Sequence, residues 1–212
     1  MLEIYQTVKE YGETELEISK SRFLIYTNRA ETVEEAIEFI GRIKKKHWDA
    51  THNCSAYVIG EKDEHQKADD DGEPSGTAGK PILEVIKKMG IKDTVIVVTR
   101  YFGGIKLGAG GLIRAYGKGA TLGLKAAGIV ERRLHTRMAI EIDYTFYGAV
   151  ENELRSLGYR IDETRFTDKV TVVALEINGL EGNLEKKVND WTSGQASIAQ
   201  EGVLYVDTPL DF

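Results

Sequence analysis

The sequence predicts an α+β protein of two domains: a mixed sheet with helices over residues 1–130, then a ferredoxin-like βαββαβ domain over residues 131–212. Three observations carry this. Two-residue alternation is interleaved with amphipathic helices and one glycine-bearing helix as far as about residue 127. From Met138 the order is strand, helix, strand, strand, helix, strand. Between these stretches the texture changes at Glu131-Arg132-Arg133-Leu134 with no long linker, and 212 residues suit two small domains.

Element by element, Glu13 to Ser19 alternates with Leu16 and Ile18 on one face, and Arg22 to Thr27 follows as a second strand. Thr32-Val33-Glu34-Glu35 has the spacing of a capping box, in which the threonine hydroxyl accepts from the Glu35 amide and Glu35 reaches back. Val33, Ala36, Ile37, Ile40 and Ile43 then share a helical face, and Lys44, Lys45 and Lys46 close the helix where its dipole favours positive charge. Cys54 to Ile59 reads as a strand, and Glu61 to Gly79 as a long polar loop. Pro81 suits a helix start, Ile82, Val85, Ile86 and Met89 form its apolar stripe, and Gly90 is its stop. Thr94 to Thr99 is a β-branched run, expected as a buried central strand. The helix over 109–127 contains Gly110, Gly111, Gly117, Gly119 and Gly123, each costing about 0.8–1 kcal/mol relative to alanine. Close backbone packing is therefore expected of it, with Ile113, Tyr116, Ala120 and Leu124 facing inward. In the second domain Met138, Ile140, Ile142 and Tyr144 alternate as a half-buried strand. Val150, Leu154 and Leu157 mark a helix, Arg160 to Thr167 and Val170 to Ile177 two strands, Leu184, Val188 and Trp191 a helix, and Ile198 to Val206 the closing strand.

The formal net charge is −6, but it is unevenly placed: residues 92–137 carry nine Lys and Arg against two Asp and Glu. Such a basic island between acidic flanks favours an anionic partner more than the total suggests. Arg114, Lys118 and Lys125 fall at i, i+4 and i+11, one outward stripe of the glycine-bearing helix. No run reaches the roughly 18–20 apolar residues of a membrane helix. The first ten residues show no signal peptide. The single Cys54 permits no internal disulfide, so the cytoplasm is the expected location and no membrane contact is expected.

Two ordered motifs carry a resemblance. Asp69-Asp-Asp-Gly-Glu-Pro-Ser-Gly-Thr-Ala-Gly-Lys-Pro81 and Arg100-Tyr-Phe-Gly-Gly-Ile-Lys-Leu-Gly-Ala-Gly-Gly-Leu-Ile-Arg-Ala-Tyr116, with Lys20-Ser-Arg-Phe23 and His52-Asn-Cys54 upstream, resemble the signature of the Impact family over roughly residues 15–128. The resemblance singles out Asp71, Gly72, Glu73, Pro74, Ser75 and Gly76, and Gly103, Gly104, Gly108, Gly110 and Gly111. It implies an N-terminal domain like the second domain of the fifth small-subunit ribosomal protein and domain IV of elongation factor G. It also implies a C-terminal domain like domain V of that factor. The resemblance also implies eukaryotic relatives that regulate the response to amino-acid starvation by competing for a ribosome-associated activator of a translation-initiation kinase; they attach the shared domain to a different module, so that partner does not carry over.

For chemistry, the loop Asp69 to Gly79 gathers Asp69, Asp70, Asp71 and Glu73 before a helix start, where a glycine-rich backbone can cradle an anion. It is not a Walker A loop, since Pro74 stands at the first glycine and Pro81 at the Ser/Thr. Gly103 to Gly111 fails the dinucleotide fingerprint at Ile113, yet the adjacent helix start, with Arg100 and Lys106, remains a phosphate-binding candidate. His47, His52, Cys54 and His65 match no zinc spacing, and no metal or cofactor is expected. Tyr101, Phe102 and Tyr116 are stacking candidates, Phe102 being expected in the core. Three readings follow. The first is a translation-associated protein binding RNA or the ribosome through Arg100, Lys106, Arg114, Lys118 and Lys125. The second is an adaptor for a translation-factor or stress protein. The third is an enzyme acting on a phosphorylated or peptide substrate with His52, Asp70, Asp71, Glu73 and Arg100. Binding is preferred to catalysis.

Overall fold

The computed structural model describes residues 1–210. The chain divides into one unit of Met1–Arg132 with residues 207–210, and a second unit of Arg133–Val206.

The first unit contains β1 (Ile4–Val8), β2 (Gly12–Ile18), β3 (Ser21–Arg29), α1 (Val33–Lys46), β4 (His52–Ile59), β5 (His65–Asp69), α2 (Gly79–Lys88), β6 (Thr94–Tyr101) and α3 (Gly108–Ala127). Its main sheet runs β2-β3-β6-β4-β5, and each of these ladders is antiparallel. Helices α2 and α3 cover one face, closing a core of Phe23, Ile25, Cys54, Ile96 and Val98 with Ile82, Ile86, Tyr116 and Leu124. Helix α1 covers the other, where Ala36, Phe39 and Ile43 pack on Tyr26, Tyr57, Val95 and Val97. Burial on both faces is why β6 reads as an unbroken β-branched run. At the start of α1, Thr32 Oγ1 accepts from the Glu35 amide at 3.2 Å. The Glu35 carboxylate reaches back to the Glu31 amide at 2.7 Å, one residue beyond the expected cap.

Several expectations are corrected. Ile37 is 54% exposed and its place in the core is taken by Phe39. The long loop contains β5, a polar strand paired to β4, so the irregular stretch splits into a turn at residues 60–64 and a loop at residues 70–78. Helix α2 starts at Gly79, two residues before Pro81. In α3, Ile113 is 45% exposed, and Leu112 and Ala115 face inward beside Tyr116. Close packing accounts for fewer of its glycines than expected. A Cβ at Gly123 would stand 2.5 Å from Ile25 and Thr27, and one at Gly119 would crowd Ile25 at 3.2 Å, but one at Gly110 would meet nothing within 4 Å.

The second unit holds most of β7 (Ile129–Ile142) and β10 (Ser197–Leu210), with α4 (Tyr144–Ser156), β8 (Arg160–Phe166), β9 (Val170–Ile177) and α5 (Glu181–Thr192). The strand order β10-β7-β9-β8 with two helices is the ferredoxin-like arrangement predicted from the order of elements. One sheet face and the two helices enclose Met138, Ile140, Val150, Leu154, Val172, Leu184 and Val188.

Candidate functional site

The register of the first unit's sheet sets up its most unusual side chains. Arg100 on β6 lies opposite Phe23 on β3 and His52 on β4, so the three form a row across one sheet face. That face is the one beneath α2 and α3, and Arg100 is only 5% exposed there. A buried guanidinium demands a paired anion. The loop after β5 supplies it: Arg100 Nη1 donates to Glu73 Oε1 at 2.7 Å. The Tyr116 hydroxyl donates to the same oxygen at 2.7 Å, and Arg100 Nη2 donates to Ser21 Oγ at 3.2 Å. The guanidinium also lies near the rings of Phe23 and Phe102, 5.5 and 5.4 Å from their centroids. Ser21 Oγ further accepts from the Gly103 amide, and a Cβ on Gly103 would fall 2.0 Å from the Lys20 carbonyl oxygen, which is why that position is glycine.

The acidic loop is held by its own carboxylates. Asp70 accepts from the amides of Gly76, Ala78 and Gly79 at 2.7, 3.1 and 2.8 Å. The amide cradle at the start of α2, expected to hold an external anion, is thus filled by Asp70 itself. Asp71 accepts from the Asn53 amide and from Lys44, and Asp69 from the Asp71 amide. Although burial opposes it, that amide and Lys44 hold the Asp69 carboxyl below its ordinary range. Among the described residues no group of three or more His, Cys, Asp and Glu side chains is arranged to hold a metal ion.

His52 Nδ1 donates to the Asp71 carbonyl at 2.8 Å, which fixes the ring, and Nε2 lies 3.7 Å from Glu73 Oε2. Cys54 lies beneath this group, donating to the Asp70 carbonyl, and burial pushes its thiol up, so it is no nucleophile. His52, Glu73 and Arg100 line a cleft of about 420 Å³ with Thr51, Pro74, Phe102, Lys106, Leu107, Gly108, Ala109 and Leu112. Phe102, expected in the core, is 45% exposed and lines this cleft instead. The start of α3 forms part of its wall and has no side-chain cap.

The predicted cations separate into two groups. Arg100 is buried in its ion pair and is not offered to a polyanion, a correction to its place in the predicted row, while Lys106 lies on the cleft. Arg114, Lys118 and Lys125 are all exposed on α3, offset from Arg114 by about 40° and 20° around a helix of 3.6 residues per turn. Helix α3 contains no acidic residue. On its neighbour α2, Lys80, Lys87 and Lys88 are exposed too, with Glu84 as that helix's one carboxylate, 3.9 Å from Lys80. Sequence reasoning joined Glu73, His52 and Arg100 only in its enzyme reading, and missed Ser21 and Tyr116 as partners of this group. A signal for them existed, because two-residue alternation from Ile96 and Val98 places Arg100 on the inner face.

These features define a two-domain α+β protein whose first domain pairs a basic two-helix face with a cleft built on a buried Arg–Glu pair. The Impact N-terminal domain family matches residues 19–124, and a domain of unknown function, DUF1949, matches residues 140–195. The chain is 52% identical over 211 residues to IMPACT family member YvyE of Bacillus subtilis, covering 100% of this chain and 97% of that protein. It is 40% identical over 130 residues to IMPACT family member YigZ of Escherichia coli, covering 60% of this chain and 64% of that one. A solved structure titled as a hypothetical protein superposes with a TM-score of 0.61 at 29% identity, over 95% of this chain and 100% of its own. The chain belongs to the Impact family. A shorter match, 42% identical over 67 residues, joins it to Protein IMPACT of Xenopus laevis, covering 30% of this chain and 21% of that protein.

Proposed function

We propose that this protein binds RNA, on the ribosome or associated with translation, through the outer face of α2 and α3. The single observation behind the reading is the composition of that face: Lys80, Lys87, Lys88, Arg114, Lys118 and Lys125 are exposed there, against Glu84 alone. Among the described residues neither Arg114 nor Lys118 has a carboxylate partner. A row of exposed cations on a helix is an electrostatic footprint for phosphates and specifies no base. The likeness of the family's domains to those of a translation factor supports the same direction, as an analogy of fold.

The test is co-sedimentation of the full chain with ribosomal fractions and with purified ribosomal RNA at two salt concentrations. Binding is expected to weaken steeply with salt. An Arg114→Ala/Lys118→Ala/Lys125→Ala variant is expected to lower the log–log salt slope by about one for each contacting residue removed. Salt-insensitive association, or association that survives nuclease treatment, points to a protein partner and ends the RNA reading.

A further inference from the structure

The second unit carries an aromatic platform that RNA binding on α2 and α3 does not use. Two-residue alternation assigns Tyr144 to the strand β7, but the strand ends at Ile142 and Tyr144 opens α4. On the edge strand β8, Phe166 lies opposite Val170, a core residue, and so stands on the helix side of the sheet. The Tyr144 and Phe166 rings stack there with centroids 6.4 Å apart, and Tyr147 meets Phe166 edge-on at 5.4 Å. A hydrogen bond of 2.7 Å from the Tyr144 hydroxyl to the Thr167 carbonyl fixes the ring. Tyr144 is nonetheless 52% exposed and Phe166 56%. Single exposed aromatics are ordinary, whereas a contiguous, stacked group of three marks a contact surface.

The surroundings of the platform are acidic. Glu141 pairs with Lys169 at 3.2 Å and Glu151 with Arg155 at 2.8 Å. Asp143 and Asp168 are exposed as well, and among the described residues neither forms an ion pair. The hydrogen bond to Glu141 and the charges of Glu141, Asp143 and Asp168 raise the Lys169 pKa above its ordinary value, so three carboxylates converge on a single ammonium. One turn after Tyr144, α4 carries Gly148, with open space where a side chain would stand. The bare backbone keeps the approach to the Tyr144 ring clear. Unpaired carboxylates beside the rings repel phosphates, which makes a nucleic acid a poor match for them.

We infer that this corner of the second unit docks an arginine-rich segment of a partner protein, with a guanidinium lying on the Tyr144 and Phe166 rings and donating to Asp143 or Asp168. Charge complementarity selects a cation, because the platform offers π faces beside two carboxylates without ion pairs. Arginine suits it better than lysine, since its planar group stacks on a ring and forks onto a carboxylate at once. All of these residues lie in the second unit, so the docking site stands apart from the RNA reading.

Fluorescence anisotropy of the full-length chain with a labelled peptide of alternating arginine and glycine tests the assignment. Peptides of equal length with lysine or glutamate in place of arginine, and oligouridylate, run beside it. The arginine peptide is expected to bind about threefold or more tighter than the lysine peptide, and the glutamate peptide not to bind. Phe166→Leu keeps an apolar side chain but removes the ring, and is expected to weaken the arginine peptide about threefold or more. Asp143→Asn/Asp168→Asn, both at the surface, is expected to weaken it about three- to tenfold. Gly148→Arg is the informative variant, because a guanidinium tethered one turn from Tyr144 competes for the ring while the helix loses a glycine. It is expected to raise the unfolding midpoint by about 2–4 °C and yet to weaken the arginine peptide about threefold or more. The Arg114→Ala/Lys118→Ala/Lys125→Ala variant is expected to bind the arginine peptide at least as tightly, so a failure of the RNA reading and a failure of this one are separately visible. Four results overturn the proposal: no binding of the arginine peptide, equal affinity for the arginine and lysine peptides, arginine binding unchanged in Phe166→Leu or Gly148→Arg, or oligouridylate binding that Phe166→Leu abolishes.

Discussion

Replacing Arg100 distinguishes a structural cation from a nucleic-acid contact. Arg100 is 5% exposed, its Nη1 is bound to Glu73, and its Nε is buried without a partner. Arg100→Met preserves length and apolar volume but leaves the Glu73 carboxylate buried with Tyr116 as its remaining donor. Breaking a buried pair by removing one partner costs about 3–5 kcal/mol. In a protein of this length each kcal/mol lowers the midpoint by about 2–4 °C, which puts the expected loss at about 6–20 °C. Glu73→Gln should cost a similar amount, because it leaves the guanidinium without its anion. The double variant Arg100→Met/Glu73→Met should be less destabilised than the two single losses added together, by about 2 kcal/mol or more, since neither charge is then stranded. Urea unfolding followed by circular dichroism measures all three. If Arg100→Met retains wild-type stability within about 0.5 kcal/mol yet loses RNA binding, the side chain is a phosphate contact and the buried-pair argument is wrong.

Two further outcomes follow from the packing and from a buried histidine. Gly123→Ala drives a methyl group against Ile25 and Thr27, with an overpacking cost of about 1–3 kcal/mol partly offset by about 1 kcal/mol of helix propensity. Gly110→Ala meets nothing and should gain about 0.5–1 kcal/mol; unfolding midpoints that move in the same direction would refute the distinction. His47 lies between Tyr26 and Tyr101, with Nε2 2.6 Å from one hydroxyl and Nδ1 3.0 Å from the other, while Tyr101 donates to Asp49. Burial, then the neighbouring Lys46 charge, holds its pKa below the ordinary 6.5. The folded state therefore resists protonation, so this stabilisation is complete above about pH 6.5 and is lost as pH falls toward the lower folded value. His47→Gln should flatten the pH dependence of stability in that window, leaving the acid loss from Asp69 in a separate range below about 3.8. Parallel curves for the two proteins would exclude His47 as the source.

Much of this fold was legible because pattern and burial agree. The alternation from Met138, the helix stripes at Leu154 and Leu184 and the β-branched run before Arg100 each reflect a single periodic burial demand. The misses have physical causes. β5 carries His65, Gln66 and Lys67, and its strand geometry comes from pairing with β4, which propensity does not register. Ile37 and Ile113 are apolar residues left outside because Phe39 and Leu112 fill the available space, and a one-face count cannot rank them. At the site, the exposed row on α3 followed from spacing alone. Arg100 did not, because its ion pair joins β6 to a loop 27 residues earlier in the chain, and the Asp70 cradle depends on how that loop turns back on α2.

The polarity that hid β5 also bears on the exposed border of the sheet. A five-stranded sheet must end somewhere, and here one border is a five-residue strand whose first four residues face solvent. Its unpaired backbone groups are a standing invitation to a strand from another molecule. A stretch as short as His65–Asp69, carrying Lys67 and little greasy surface, makes a poor template for that growth. Replacing Gln66 and Lys67 with valine would leave the fold's interior untouched and turn this border into a seed for fibrous assembly.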